Sequence, residues 1–292
     1  MFKILYAFIW LITWLPLPIL YVFSDMAYLI IYYLIGYRKH VVRTNLKNSF
    51  PEKTEKERYL IEHQFYRFFC DIFVETIYEM HISKAEMLER MNFCNVEVIL
   101  EQYAKGKSCL LMTAHYGNWE WASALSLVLP PDKPLYGIYK RLRNKDFDAF
   151  IYELRTKSTG KNIEKNDLFR KMVRLKNDGE LAMFGMISDQ TPNAYNLNYW
   201  TQFLNQDTPV LTGTEVLARK FDYPVYYAEI TRFKRGYYKC EFIPVSLEPK
   251  QAPEFEITEK YMKLLQKTIV AQPQYWLWSH MRWKYHRSNL DN

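Results

Sequence analysis

Cysteine is scarce. Four residues in 292, Cys70, Cys94, Cys109 and Cys240, are scattered with no C-x-x-C among them. That spacing offers neither a disulfide framework nor a zinc site, and it reads as buried thiols in a reducing compartment. No Gly-x-Ser-x-Gly occurs, so nothing marks a serine that would carry an acyl-enzyme. No His, Cys and carboxylate residues have metal-ligand spacing; His280 and His286 lie in a Trp- and Arg-rich tail and read as packing or surface groups. Gly106-Lys107-Ser108 mimics the end of a phosphate-binding loop. Glu101, however, stands where the first glycine is required, and the apolar strand follows the loop instead of preceding it. It is a turn with no nucleotide implied. Neither a metal nor a cofactor is expected, and there is no tandem repeat or low-complexity tract.

Charge is also missing from one place. Phe2–Ile35 carries only Lys3 and Asp25. The run lacks a small-residue cleavage site and continues too long for a signal peptide. Phe2–Phe23 has the length of a membrane span, but Pro16 and Pro18 interrupt it, and Met26–Ile35 is too short to cross alone. The pattern predicts a kinked hydrophobic anchor at or in the bilayer. Arg38, Lys39, Arg43 and Lys47 follow it. Such a basic run favours the cytoplasmic side and anionic lipid headgroups. The alternative is a pair of N-terminal core helices in a soluble protein.

What the chain has in abundance is aromatic residues, 17% of the total, and positive charge, a net +7. The rings suit both a core and a membrane–water interface. The charge points to an anionic partner, whether nucleic acid, anionic lipid or an acidic carrier protein.

The chain is organised around Ser108–Glu120. Cys109–Ala114 has the length and apolarity of a buried strand. It ends at His115; Gly117 and Asn118 break it, and Trp119 opens a helical pattern to about Leu129. A histidine thus stands at the carboxyl end of a buried strand, the edge where open α/β sheets bind ligands. Glu120 follows five residues later. A neutral imidazole can take a proton from a hydroxyl or amine, and a carboxylate on its other nitrogen fixes the tautomer. The nucleophile would then be the substrate's own hydroxyl or amine. A bland reading also exists, in which His115 caps a helix and Glu120 sits where a helix N-terminus favours negative charge.

His-Tyr-Gly-Asn-Trp-Glu resembles the His-x4-Asp/Glu signature of the glycerolipid and lipid A acyltransferases, and its Glu form suits the lipid A late acyltransferase family. Further points of resemblance are Arg43-x-Asn45-Leu46-x3-Phe50-Pro51-Glu52, the Ser188-Asp189-Gln190 strand end, the Thr208-Pro209 segment and Gln274-Tyr275-Trp276-Leu277-Trp278-x3-Arg282-Trp283-Lys284. Together they run from about Arg38 to Lys284.

The resemblance implies an α/β fold with a mixed, largely parallel sheet flanked by helices, behind the N-terminal helical anchor. Residues 1–36 would be the anchor and 37–292 the acyltransferase domain. It implies acyl transfer from a thioester co-substrate, with acyl carrier protein as donor, to a hydroxyl of a membrane lipid, a lipid A precursor. The place would be the cytoplasmic face of a bacterial inner membrane, with no nucleic acid as partner. His115 is the expected general base and Glu120 its orienter. Arg155, counted from Tyr139, falls where the family has a functional arginine, for substrate phosphate or a developing oxyanion. Lys140 and Arg141 replace the family's Arg-Pro pair and would bind substrate as part of a basic rim with Arg143. Between Tyr139 and Lys176 basic residues outnumber acidic ones by about two to one. Asn118, Asp189 and Gln190 are expected in support. Asp189 would orient His115 or Arg155, or hold its loop through backbone N–H groups.

The remaining elements are strands at Phe93–Val98, Leu135–Tyr139 and Leu181–Ile187, helices at Ile99–Lys105, Asp148–Thr156 and Asp167–Asn177, a polar–aromatic loop at Asn193–Asp207 as candidate lid, a helix from Thr208-Pro209 to Arg219, a hairpin of Pro224–Thr231 and Tyr237–Val245, and a last helix at Ile257–Ala271. Two other functions stay open: the same chemistry on a lysophospholipid, amino-acid lipid or glycolipid, and a non-catalytic membrane lipid-binding protein.

Overall fold

The N-terminal apolar run folds as two helices, separated where proline demands it. In the computed structural model, which describes residues 2–141, 144–157 and 160–287, α1 spans Phe2–Ile12 and α2 spans Leu17–Leu29. Pro16 is the N-cap of α2 with extended backbone at φ −56° and ψ 142°, and Pro18 sits in its first turn, where a missing N–H costs nothing. α2 continues into a π-helical turn, Ile30–Ile35, closed by Gly36 in the left-handed region at φ 65°. The short segment read as separate from the first is therefore joined to it. Leu17–Ile35 is one helical run of 19 residues with mean hydropathy 1.6, long and apolar enough to cross a membrane.

α3 (Lys39–Ser49) ends before Phe50-Pro51, and α4 (Glu55–Tyr78) opens with a capping box in which Thr54 and Glu57 satisfy each other's backbone N–H. The aromatic spacing of α4 is a core stripe, as its period predicts: Phe65, Phe68 and Ile72 are buried. Phe73 lies off this stripe and is 55% exposed. Two acids on the inward face, Asp71 and Glu75, are also buried. One face of α2 packs on α4 through Leu17, Leu20, Tyr21, Ser24 and Tyr28. The opposite face leaves Val22, Phe23, Met26 and Leu29 exposed.

The body is an α/β sheet of seven strands. In chain order its elements are α5 (Lys84–Arg90), β1 (Met91–Cys94), α6 (Glu97–Ala104), β2 (Cys109–Thr113), β3 (Leu135–Tyr139), α7 (Lys145–Lys157), β4 (Lys161–Glu164), α8 (Leu168–Asn177), β5 (Met183–Ile187), the hairpin β6 (Trp200–Phe203) and β7 (Gln206–Pro209), α9 (Gly213–Phe221), β8 (Val225–Lys234), β9 (Tyr237–Ser246) and α10 (Glu256–Ala271). The order across the sheet is β1-β9-β8-β2-β5-β3-β4. The five strands from β8 to β4 are parallel, and β9 with β1 runs the other way. β2 and β5 lie side by side in the middle, with Thr113 opposite Ile187. Leu110, Met112, Phe184 and Met186 fill the core between the sheet and its helices.

Three local expectations give way. The helix after His115 is a short 3-10 stretch, Trp121–Leu127. Thr208-Pro209 closes a strand, with α9 starting four residues after Pro209. Half of the presumed lid is the β6/β7 hairpin, whose Phe203 and Leu204 are buried in the core. The four cysteines are free, and burial pushes the thiols of Cys70 and Cys109 up to about 12, which leaves them unreactive.

Candidate active site

β2 and β5 deliver the site. Both run in the same direction, and Thr113 and Ile187 are opposite each other at their carboxyl ends. Two residues beyond each stand His115 and Asp189. Asp189 Oδ1 is 2.8 Å from His115 Nδ1, and Oδ2 accepts the His115 backbone N–H at 3.0 Å. Trp276 Nε1 donates to the same Oδ2 at 2.9 Å. Asp189 is buried to 2% exposure. Burial alone would raise its pKa, but the charge and hydrogen bonds of His115 and the Trp276 N–H outweigh it and hold the carboxyl below its usual range. In the neutral ring, an ionised acceptor at Nδ1 fixes the tautomer with its proton there and a lone pair at Nε2. Gln190 Nε2 lies 3.3 Å from that nitrogen as donor, and Trp119 packs edge-on to the imidazole at 5.3 Å between centroids.

Glu120 is elsewhere. Arg155, from the last turn of α7, grips it with a fork: Nε to Oε2 at 2.7 Å and a terminal nitrogen to Oε1 at 2.7 Å. Trp119 Nε1 adds a bond at 3.1 Å. Burial works against the ionised carboxylate, yet the Arg155 bonds and charge hold the pKa of Glu120 down, and the same pairing raises that of Arg155 against its own burial. The carboxylate bonded to the imidazole is Asp189, one of the partners expected for it, while Glu120 is bonded to Arg155. Arg155 is thus held in an ion pair with Glu120. With Lys140, Tyr139, Tyr152 and Asn162 it lines a cleft beside the pair. Arg141 points away into an exposed pair with Glu164 at 2.9 Å. Arg143 lies outside the described residues.

The turn between His115 and Glu120 is tightly specified. Gly117 has φ +58°, and a Cβ there would stand 2.8 Å from Ile230 Cγ2 and 3.0 Å from the Ile230 carbonyl oxygen. Only glycine fits, on conformation and on space. Its N–H donates to the Tyr275 carbonyl, and the Leu277 N–H donates back to the His115 carbonyl, both at 3.0 Å. Asn118 is fully buried and bonds Glu75 at 2.7 Å.

The two flanking motifs meet here. Asn45 donates to the carbonyls of Trp278 (2.9 Å) and His280 (3.0 Å), and Arg38 to that of Ser279 (2.9 Å). The stretch they hold carries Trp276 against Asp189. Arg43 instead pairs with Glu62 at 3.0 Å. His280 is part of this layer: its Nε2 is 3.3 Å from the Thr191 N–H, and burial, reinforced by the charge of Arg282 against the opposing attraction of Asp189, lowers its pKa to about 4. Arg282 is fully buried and its guanidinium has no hydrogen-bond partner among the described residues; burial depresses its pKa to about 10, opposed by the attraction of Asp189. Sequence reasoning named Arg282 only as part of the C-terminal motif, without a place at the site, and missed Glu75. An acid recurring four residues after Asp71 on the apolar stripe of α4 was the available signal for Glu75. Among the described residues no three or more His, Cys, Asp or Glu are grouped to hold a metal.

The site thus joins a histidine at the carboxyl edge of an α/β sheet to a buried carboxylate. The chain belongs to the bacterial lipid A biosynthesis acyltransferase family, whose model matches residues 1–285. It is similar to a lipid A biosynthesis lauroyltransferase of Escherichia coli K12, 23% identical over 278 residues that cover 94% of this chain and 89% of the relative. It is also similar to a lipid A biosynthesis palmitoleoyltransferase of the same strain and to a lipid A biosynthesis acyltransferase of Shigella flexneri. Each of these is 21% identical over 288 residues, covering 94% of this chain and 91% of the relative.

Proposed function

We propose that this acyltransferase moves a fatty acyl chain from acyl carrier protein to a hydroxyl of a lipid A precursor, with His115 as general base. The observation that supports the base is the bond from His115 Nδ1 to buried Asp189, which leaves Nε2 unprotonated at the sheet edge. The acceptor hydroxyl takes the position where Gln190 now meets Nε2. Its oxygen attacks the thioester carbonyl as its proton passes to Nε2. The tetrahedral intermediate then collapses, the C–S bond breaks, and the imidazolium returns the proton to the leaving thiolate. The products are an ester and a free thiol. Asp189 supplies the negative charge that makes the imidazolium affordable.

Glu120 and Arg155 act as one unit that shapes the wall beside His115, and Lys140 is the cation in that cleft for an anionic substrate group. The exposed face of α2 and its π-helical turn lies in the cytoplasmic leaflet of the inner membrane, with Arg38, Lys39 and Lys47 at anionic headgroups. Mass spectrometry of membrane lipids from cells with and without this chain tests the reading. Loss of one fatty acyl chain from lipid A is expected; an unchanged lipid A with one acyl chain missing from a phospholipid or aminolipid would replace the acceptor.

A further inference from the structure

We propose that Glu75 is a positioning residue for the catalytic turn, and that α2 takes part in catalysis through it by way of Tyr21. The Glu75 carboxylate is fully buried and collects three donors from three separate elements. Tyr21 of α2 reaches Oε1 at 2.7 Å, and Tyr238 of β9 and Asn118 of the turn reach Oε2, each at 2.7 Å. The backbone carbonyl of the same residue accepts Trp121 Nε1 at 3.2 Å. One residue of α4 thus fixes both ends of Asn118–Trp121.

The carboxamide of Asn118 makes the link specific. Its nitrogen is spent on Glu75, and its oxygen accepts the Trp121 N–H at 3.0 Å. Losing the carboxylate frees the amide to rotate, and both bonds go together. Asn118 stands three residues after His115 and two before Glu120, so this clamp sets where both side chains leave the turn. Gly117 just before it offers no side chain to stiffen the backbone, which makes an external clamp necessary. An apolar residue at position 75 would fill the space without the cost of burying a charge. The carboxylate is explained by the three donors it registers against one another.

Ser24 supplies the contrast. It too is a hydroxyl of α2 bonded to a buried acid of α4, Asp71, at 2.7 Å. Asp71 goes on to bond Arg232 and Arg235, and among the described residues it makes no hydrogen bond to the turn; its influence on Glu75 is through charge alone. Tyr21→Phe and Ser24→Ala therefore each remove one α2–α4 hydrogen bond, and only the first touches the clamp.

The inference rests on the acyl-transfer reading for its kinetic consequence only, so the first measurement needs no turnover. Hydrogen exchange is followed by mass spectrometry on the full chain in dodecyl maltoside micelles, for wild type, Glu75→Gln, Tyr21→Phe and Ser24→Ala. Peptides covering 115–121 should exchange about tenfold faster in Glu75→Gln and about threefold faster in Tyr21→Phe, as a lost hydrogen bond predicts, with Ser24→Ala at the wild-type rate. An unchanged turn in Glu75→Gln overturns the proposal, and so does equal acceleration in Tyr21→Phe and Ser24→Ala. That pair decides the matter if Glu75→Gln fails to fold. With lauroyl–acyl carrier protein and purified lipid A precursor, Tyr21→Phe should lower kcat with KM within about threefold of wild type. Turnover absent in the wild type would remove the acyl-transfer reading and leave the exchange result standing.

Discussion

Asp189→Asn separates this site from one in which Glu120 orients the histidine. The substitution keeps shape and removes charge. Oδ2 now accepts two N–H groups, from His115 backbone and Trp276, so the carboxamide oxygen takes that place. Its NH2 group is left facing Nδ1, where a carboxylate oxygen stood at 2.8 Å. Two donors cannot share that contact, and the ring proton moves to Nε2. The base is lost. Turning the amide over to restore the tautomer forfeits both bonds, about 1–3 kcal/mol for two bonds of ordinary strength, or roughly 5- to 150-fold. Loss of the negative charge beside the imidazolium adds about tenfold more. The expected fall in kcat is therefore roughly 50- to 1,500-fold, with little change in KM. It is read by single-turnover transfer from lauroyl–acyl carrier protein, with thermal unfolding checked in parallel. A decrease of less than about tenfold in a folded variant would refute the assignment of Asp189.

The other predictions follow from neighbouring contacts. Glu120→Gln and Arg155→Gln should each lower kcat/KM by about ten- to a hundredfold, and the double variant should be no worse than the poorer single, because the two groups satisfy each other; additive losses in a double-mutant cycle would show independent roles. The low pKa of His280 gives stability a pH slope. In the folded chain the ring stays neutral down to about 4, whereas the unfolded chain takes up a proton near the ordinary value of 6.5, so stability falls as pH drops from 6.5 towards 4. His280→Gln should flatten that fall in a series of melting temperatures, and an unchanged slope would contradict the buried neutral ring. Deleting residues 1–36 strips Tyr21 and Ser24 from Glu75 and Asp71 and bares the core of α4. The product should be insoluble or inactive in a flotation and activity assay; a soluble chain as active on membrane lipid as the full one would contradict an integral α2.

Much of this fold is written in local pattern. The proline break before α2, the capping box of α4, the β8/β9 hairpin and the buried strands β2 and β5 follow from spacing and turn chemistry that act over a few residues. Long-range neighbours are another matter. His115 and Asp189 are 74 positions apart, and they meet because β2 and β5 are adjacent and in register. No local signal orders strands across a sheet, so proximity in sequence favoured Glu120 as the partner of His115. Glu120 is instead taken up by the fork of Arg155, 35 positions along the chain. Arg282 was visible as part of the C-terminal motif; its burial depends on how Asn45 and Arg38 fold that tail onto the sheet edge.

The most direct test of the account is transfer by purified full-length His115→Ala beside wild type, with radiolabelled lauroyl–acyl carrier protein and a lipid A precursor as the reactants. Wild type should add one acyl chain to the precursor and release free carrier thiol in equal amount. His115→Ala, folded and membrane-associated as before, should lose about 10²–10⁴-fold in rate. Transfer at the wild-type rate by His115→Ala would contradict the account at its centre.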